Sequence, residues 1–180
     1  MKAEVQRQAR RLSYVALGSN LGDSRQILLD AMARLQEFSD APLFKSSLWQ
    51  TTPVDCPPGS PTFVNAVVGF VPRKDETPES LLAKLRKLEK ASGRPPKKVI
   101  NEPRPLDLDL IAFSNETRNS PELTLPHPRA HLRKFVLQPL NEIAPDLILA
   151  GQTKTVAQLL AGLPNNDSIA GRSGASADRR

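Results

Sequence analysis

The chain has 180 residues, 39% of them hydrophobic and 24% charged, which fits one globular domain with tails and excludes a disordered or fibrous protein. Its 25 Lys and Arg against 19 Asp and Glu give a formal charge of +6, but residues 1–12 hold +3, residues 165–180 hold +1 and the stretch 94–104 another +3. Charge gathered on one loop and two ends argues against a broad nucleic-acid face. A lone Cys56 cannot form an internal disulfide, no run approaches the ~18 apolar residues of a membrane span, and no apolar secretory core is visible near the N-terminus. A cytoplasmic protein is expected.

Residues 1–12 lack an apolar pattern and 165–180 are rich in Asn, Ser, Gly, Ala, Asp and Arg. We therefore expect a flexible N-terminal segment, a single domain over 13–164 and a disordered C-terminal tail. The run Tyr14-Val15-Ala16-Leu17, ending at Gly18, reads as a buried strand. Ser19, Asn20 and Asp23 are cap or turn residues before a helix over 24–38, whose Ile27, Leu28, Ala31, Leu35 and Phe38 share a face. Strands follow at 43–51 and 63–71, separated by a Pro-rich loop over 53–61 that fixed proline φ angles stiffen. Thr77-Pro78-Glu79 starts a second helix over 78–91, with Leu81, Leu82, Leu85 and Leu88 on one side. A basic, Pro-containing loop over 93–103 leads to an alternating strand, 106–113. The order β-α-β-β-α-β predicts an α+β protein with a ferredoxin-like core, an antiparallel sheet carrying both helices on one face. C-terminal helical additions are expected near 129–141 and 154–162.

Asp107 and Asp109 are the most informative residues. At i and i+2 of a strand they share a face, ~7 Å apart at the Cα, while Leu106, Leu108 and Leu110 point into the core. Two like charges repel, so the fold alone has no use for the pair, and removing one is expected to stabilise the metal-free protein. Such carboxylates suit Mg²⁺, which takes a few and fills its other positions with water and phosphate oxygens, and two ions can share such a pair to clamp a polyphosphate. The alternative is a solvated strand face. Arg94, Lys97, Lys98 and Arg104 just upstream add cations of the kind a phosphoryl-transfer site needs. No GxxxxGK[ST] or GxGxxG motif is present.

Several segments in order carry a family likeness: Gly18-Ser19-Asn20-Leu21-Gly22-Asp23, Phe63-Val64-Asn65-Ala66, Arg104-x-x-Asp107-Leu108-Asp109-Leu110-Ile111, Pro126-His127-Pro128 and Arg133-Lys134-Phe135. Together, over about residues 14–163, they resemble the 6-hydroxymethyl-7,8-dihydropterin pyrophosphokinases of folate biosynthesis. The resemblance implies transfer of pyrophosphate from MgATP to the hydroxymethyl group of a reduced pterin, with release of AMP. It implies that Asp107 and Asp109 hold two Mg²⁺ ions, that Glu89, Arg94, Arg104, His127 and Arg133 bind the nucleotide, and that Arg94, Arg104 and Asp109 are catalytic. Phe63 and Phe135 are implied to sandwich the pterin, with Asn65 and the backbone from Thr51 to Val54 reading its edge. The partners implied are ATP and a reduced pterin, with no nucleic acid, no membrane and a monomeric state. The sequence departs from the family's pattern at Pro96, at Ile100, Asn101 and Glu102 before Arg104, and at Pro128. Glu102 adds negative charge near the expected phosphates.

Two other functions suit the same fold. A nucleotidyl transferase or cyclase also uses paired aspartates, and would release pyrophosphate rather than AMP. A single-stranded RNA-binding module would need exposed aromatics and a basic octamer; no such octamer is present, and Trp49 and Tyr14 are the only Trp and Tyr.

Overall fold

A computed structural model describes residues 11–53, 56–93, 102–164 and 169–172. In chain order these form β1 (Ser13–Ser19), α1 (Ser24–Gln36), β2 (Phe44–Lys45), β3 (Trp49–Thr51), β4 (Phe63–Phe70), α2 (Pro78–Ala91), β5 (Asp107–Phe113), β6 (Arg118–Asn119), β7 (Thr124–Leu125), a 3₁₀ turn (Ala130–Leu132), α3 (Lys134–Ile143), α4 (Val156–Ala161) and β8 (Ile169–Arg172). The main sheet runs β5-β1-β4-β3-β8, with β2 also paired to β4, and its pairs are antiparallel. A short β6–β7 hairpin stands apart.

Alternation along β1 sends Val15 and Leu17 to one face and Tyr14 and Ala16 to the other. The first face packs on α1 through Leu28, Ala31, Met32 and Leu35, and on α2 through Leu81, Leu85 and Leu88. Leu28, Leu35, Leu81 and Leu85 are fully buried, and each such side chain contributes ~1.5–3 kcal/mol. Asp23 caps α1 by accepting from the Gln26 amide, and Thr77 and Ser80 form a reciprocal capping box on α2. The second face is covered by α3 and α4, with Val136, Leu137, Leu140 and Val156 against Tyr14, Val67, Ile111 and Ala112. Both expected core helices therefore share a face, and the C-terminal additions close the other.

The structure differs from the expectations in three places. The strand expected over 43–51 is two short strands. Lys45 pairs with Val68 and Trp49 with Asn65, so β2–β3 carries one extra residue, and the Ser46 hydroxyl accepts from the Val67 amide across the break. This bulge sets Trp49 and Thr51 opposite Asn65 and Phe63. The helix expected over 129–141 is a 3₁₀ turn followed by α3, with Arg133 extended between them at φ −110°, ψ 110°. Within the tail expected to be disordered, Ile169–Arg172 form β8 on the outer edge of β3.

Candidate active site

Register builds the site. Asp107 and Asp109 of β5 lie opposite Gly18 and Ala16 of β1, and Gly18 lies opposite Asn65 of β4. Phe63 and Thr51 form the next same-parity pair, two residues along β4 and β3. All of these project from the second face, beyond the part that α3 covers, and the open part is a cavity of about 230 Å³. Its walls are Thr51, Phe63, Asn65, Arg104, Asp107, Asp109, Arg133 and Phe135, with Thr52, Cys56, Arg129 and Leu132 at the same opening. A second cavity of about 350 Å³ lies along β5, lined by Glu89, His127, Leu82, Arg86 and Thr124 among others. Both cavities are bounded by Asp107 and Asp109. The pair is thus a shared wall rather than a solvated strand face.

Gly18 is a glycine because of closeness, not backbone sign. A Cβ there would sit 3.2 Å from the Asn65 Oδ1, 3.8 Å from Phe63 and 3.9 Å from the Asp107 Cβ. Gly22, by contrast, has φ +73° and serves the turn into α1. Asn65 is buried and donates to the Thr51 hydroxyl at 2.6 Å, which fixes its amide against the cavity floor.

Two arginines offset the repulsion between the two acids, and a histidine stands beside them. An Arg104 guanidinium nitrogen lies 2.8 Å from Asp107 Oδ2, while Arg133 lies 3.7 Å and the His127 Nε2 3.9 Å from Asp109 Oδ2. The same arginines lie over the aromatic walls, Arg104 at 6.0 Å from the Phe63 ring centre and Arg133 at 5.4 Å from that of Phe135. His127 Nδ1 accepts from the Arg129 amide, so its Nε2 faces the acids. Burial first, then the charges of Arg133 and Arg129, push the His127 pKa from 6.5 down to about 4, leaving a neutral imidazole at pH 7.

Glu89 lies at the end of α2 and accepts from the Leu108 amide at 2.8 Å, which ties it to the strand between the two acids. Arg94 and Val54, together with Lys97, Lys98, Pro96, Ile100 and Asn101, lie outside the described residues. Two participants are missed by the sequence reading. Asn20, read as a cap or turn residue, is buried; its side chain accepts from the Arg104 amide at 2.8 Å, and its own amide N–H donates to the Arg104 carbonyl at 3.2 Å. Arg129 lines the first cavity beside Arg133. No local pattern marks Asn20, whose partner is 84 residues away; the signal for Arg129 is only its place two residues after His127.

The carboxylate pair fits magnesium. Two oxygen-donor side chains with side-chain exposures of 20% and 38% can be reached from both cavities, and Mg²⁺ commonly takes one or two carboxylates with substrate phosphates and water. Among the described residues no group of three or more His, Cys, Asp or Glu forms a ready-made metal cage.

Comparison with known proteins gives the family of the chain. Residues 14–145 match the family described as 7,8-dihydro-6-hydroxymethylpterin-pyrophosphokinase (HPPK). The chain is 37% identical to the 2-amino-4-hydroxy-6-hydroxymethyldihydropteridine pyrophosphokinase of Haemophilus influenzae over 76% of its own length and 84% of that protein's. It is 38% identical to the protein of that name from Pseudomonas aeruginosa, over 84% of this chain and 91% of the relative. It matches the Pneumocystis carinii folic acid synthesis protein fol1 at 39% identity over 75% of its length, but spans only 18% of that longer protein. Among solved structures, wild-type Plasmodium falciparum HPPK-DHPS shares the fold with a TM-score of 0.67 at 14% identity, over 84% of this chain and 44% of that one. The chain belongs to the 7,8-dihydro-6-hydroxymethylpterin-pyrophosphokinase family.

Proposed function

We propose that this chain transfers the pyrophosphoryl group of ATP to the hydroxymethyl oxygen of 6-hydroxymethyl-7,8-dihydropterin, giving AMP and the pterin diphosphate. The observation that carries the reading is the pair of cavities meeting at Asp107 and Asp109, one walled by two aromatics and a buried amide, the other by Glu89 and His127. A flat heterocycle suits the first, stacked between Phe63 and Phe135, with Asn65 and Thr51 at its polar edge. Val54 and Arg94 join pterin and nucleotide recognition respectively. The nucleotide occupies the second cavity, with Glu89 and His127 against it and Arg104 and Arg133 reaching its phosphates from the shared wall.

Asp107 and Asp109 would hold two Mg²⁺ ions, which supply neutralisation of the phosphate oxygens and orientation of the triphosphate. The protein's own part is positioning and charge. Phe63, Phe135 and Asn65 hold the pterin so that its hydroxymethyl group points at the aspartates. A bond forms between that oxygen and the β-phosphorus, the bond from the β-phosphorus to the oxygen bridging it to the α-phosphorus breaks, and AMP leaves. The hydroxyl proton passes to the Asp109 carboxylate. Arg104 is held by Asn20 and Asp107, and follows the charge as it moves to the bridging oxygen.

Residues 13–164 act as a single domain, and its core is of the ferredoxin-like kind. The strand order β5-β1-β4-β3, with α1 and α2 on one face, supports that assignment. The test is incubation with ATP, Mg²⁺ and 6-hydroxymethyl-7,8-dihydropterin. AMP and a pterin diphosphate should appear in equal amounts. Release of pyrophosphate with a nucleotidyl product would overturn the reading in favour of a nucleotidyl transferase.

A further inference from the structure

We propose that Arg129 is an additional binding residue for the transferred pyrophosphoryl group, gripping it from the pterin side of the aspartate wall. The inference rests on the pyrophosphoryl-transfer reading and adds a residue to it. Three arginines and two aspartates line the first cavity. Arg104 is ion-paired with Asp107, and Arg133 lies 3.7 Å from Asp109. Among the described residues no ion pair or hydrogen bond involves the side chain of Arg129, an exposed residue. The cavity therefore carries one guanidinium in excess of its own anions, next to another of like charge. Nothing in packing calls for that, and an anion entering the cavity relieves it.

The anion follows from which cavity Arg129 lines. His127 and Pro128 line the second cavity, whereas Arg129 and Arg133 line the first. The backbone crosses the wall at this point, held where the Arg129 amide donates to His127 Nδ1 at 3.2 Å. The pterin is uncharged and AMP stays in the other cavity. The only strongly anionic group that comes to the pterin side is the diphosphate as it is transferred. Arg129 thus binds the transferred group and the diphosphate product, and does little for free pterin or AMP.

The test compares wild type, Arg129→Gln and Arg129→Lys by calorimetry, with inorganic pyrophosphate in the presence of Mg²⁺, with AMP, and with 6-hydroxymethyl-7,8-dihydropterin. Arg129→Gln should weaken pyrophosphate about tenfold, the scale of one charge-assisted hydrogen bond. It should leave AMP and pterin within about twofold, and Arg129→Lys should recover part of the loss. Pyrophosphate affinity unchanged in Arg129→Gln, a parallel loss of all three ligands, or no pyrophosphate binding by wild type would each overturn the proposal. Turnover by wild type is scored separately: absence of AMP formation removes the proposed function, whereas the pyrophosphate ratio alone decides Arg129.

Discussion

Replacing Asp107 with Ala separates the two roles of that carboxylate. Its Oδ2 lies 2.8 Å from Arg104, and the two side chains are only 20% and 15% exposed. Among the described residues the buried Arg104 Nε has no hydrogen-bond partner. Removing Asp107 therefore strands a largely buried cation. Exposed ion pairs contribute ~0–1 kcal/mol, and breaking fully buried ones costs ~3–5 kcal/mol. This pair lies between those limits, at about 2 kcal/mol, and at roughly 2–4 °C per kcal/mol for a chain of this size the Tm should fall by about 4–8 °C. Asp109 is 38% exposed, its one cationic neighbour Arg133 lies at 3.7 Å and the neutral His127 ring at 3.9 Å, so Asp109→Ala should cost no more than about 0.5 kcal/mol. The two acids on one strand face suggest by themselves that deleting either would stabilise the metal-free protein. The structure reverses that expectation, because each acid has its own cation. Thermal unfolding in EDTA measures the stability order, and Mg²⁺-dependent AMP formation measures activity, which both variants should lose. Asp107→Ala melting at or above wild type, or below it by less than Asp109→Ala, would refute the reasoning.

Gly18→Ala tests the cavity floor. Its added methyl meets Asn65 at 3.2 Å without needing a left-handed backbone, so Tm should hold within a few degrees while kcat/KM for the pterin falls about 10–100-fold; unchanged pterin kinetics would remove Gly18 from the site. Asn20→Ala removes the acceptor for the part-buried Arg104 amide, which should cost about 1 kcal/mol of stability and lower kcat more than it raises KM for the pterin; a wild-type kcat would show that Arg104 needs no such anchor. For His127, the folded-state pKa of about 4 lies below the ordinary 6.5. The stability tied to the neutral imidazole is therefore complete above pH 6.5, erodes as pH falls and is gone below about 4. NMR titration of the metal-free protein should show that ring titrating near pH 4, and a midpoint near 6.5 would contradict its burial.

Much of the architecture is legible because it depends on local period. The alternation of Leu and Asp over 106–110, the leucines of α2 and the cap at Thr77 are each decided by neighbours in sequence. What is not legible is decided by partners far along the chain. The break between β2 and β3 depends on Ser46 and Val67, and on Glu142, which accepts from the Ser47 amide across 95 residues. The interruption that sets Arg133 beside Asp109 replaces what periodicity reads as one continuous helix, and β8 adds a strand where composition predicts none.

The same division runs through the site. The acids, the aromatic pair and Asn65 stand out as residue types whose chemistry is visible in isolation. Their electrostatic state does not, because it belongs to pairs: Asp107 with Arg104 and Asp109 with Arg133. These cations do for the acids what, on the proposed function, a divalent ion and its phosphates would do. On the proposed function, binding MgATP would exchange one set of counter-charges for another, and would free Arg104 and Arg133 to turn toward the phosphates that replace their aspartates. If so, MgATP should raise the Tm of wild type more than that of Asp107→Ala or Asp109→Ala, since a variant missing one acid holds the ion less well. Equal shifts across all three proteins would mean that the acids take no part in holding nucleotide and metal.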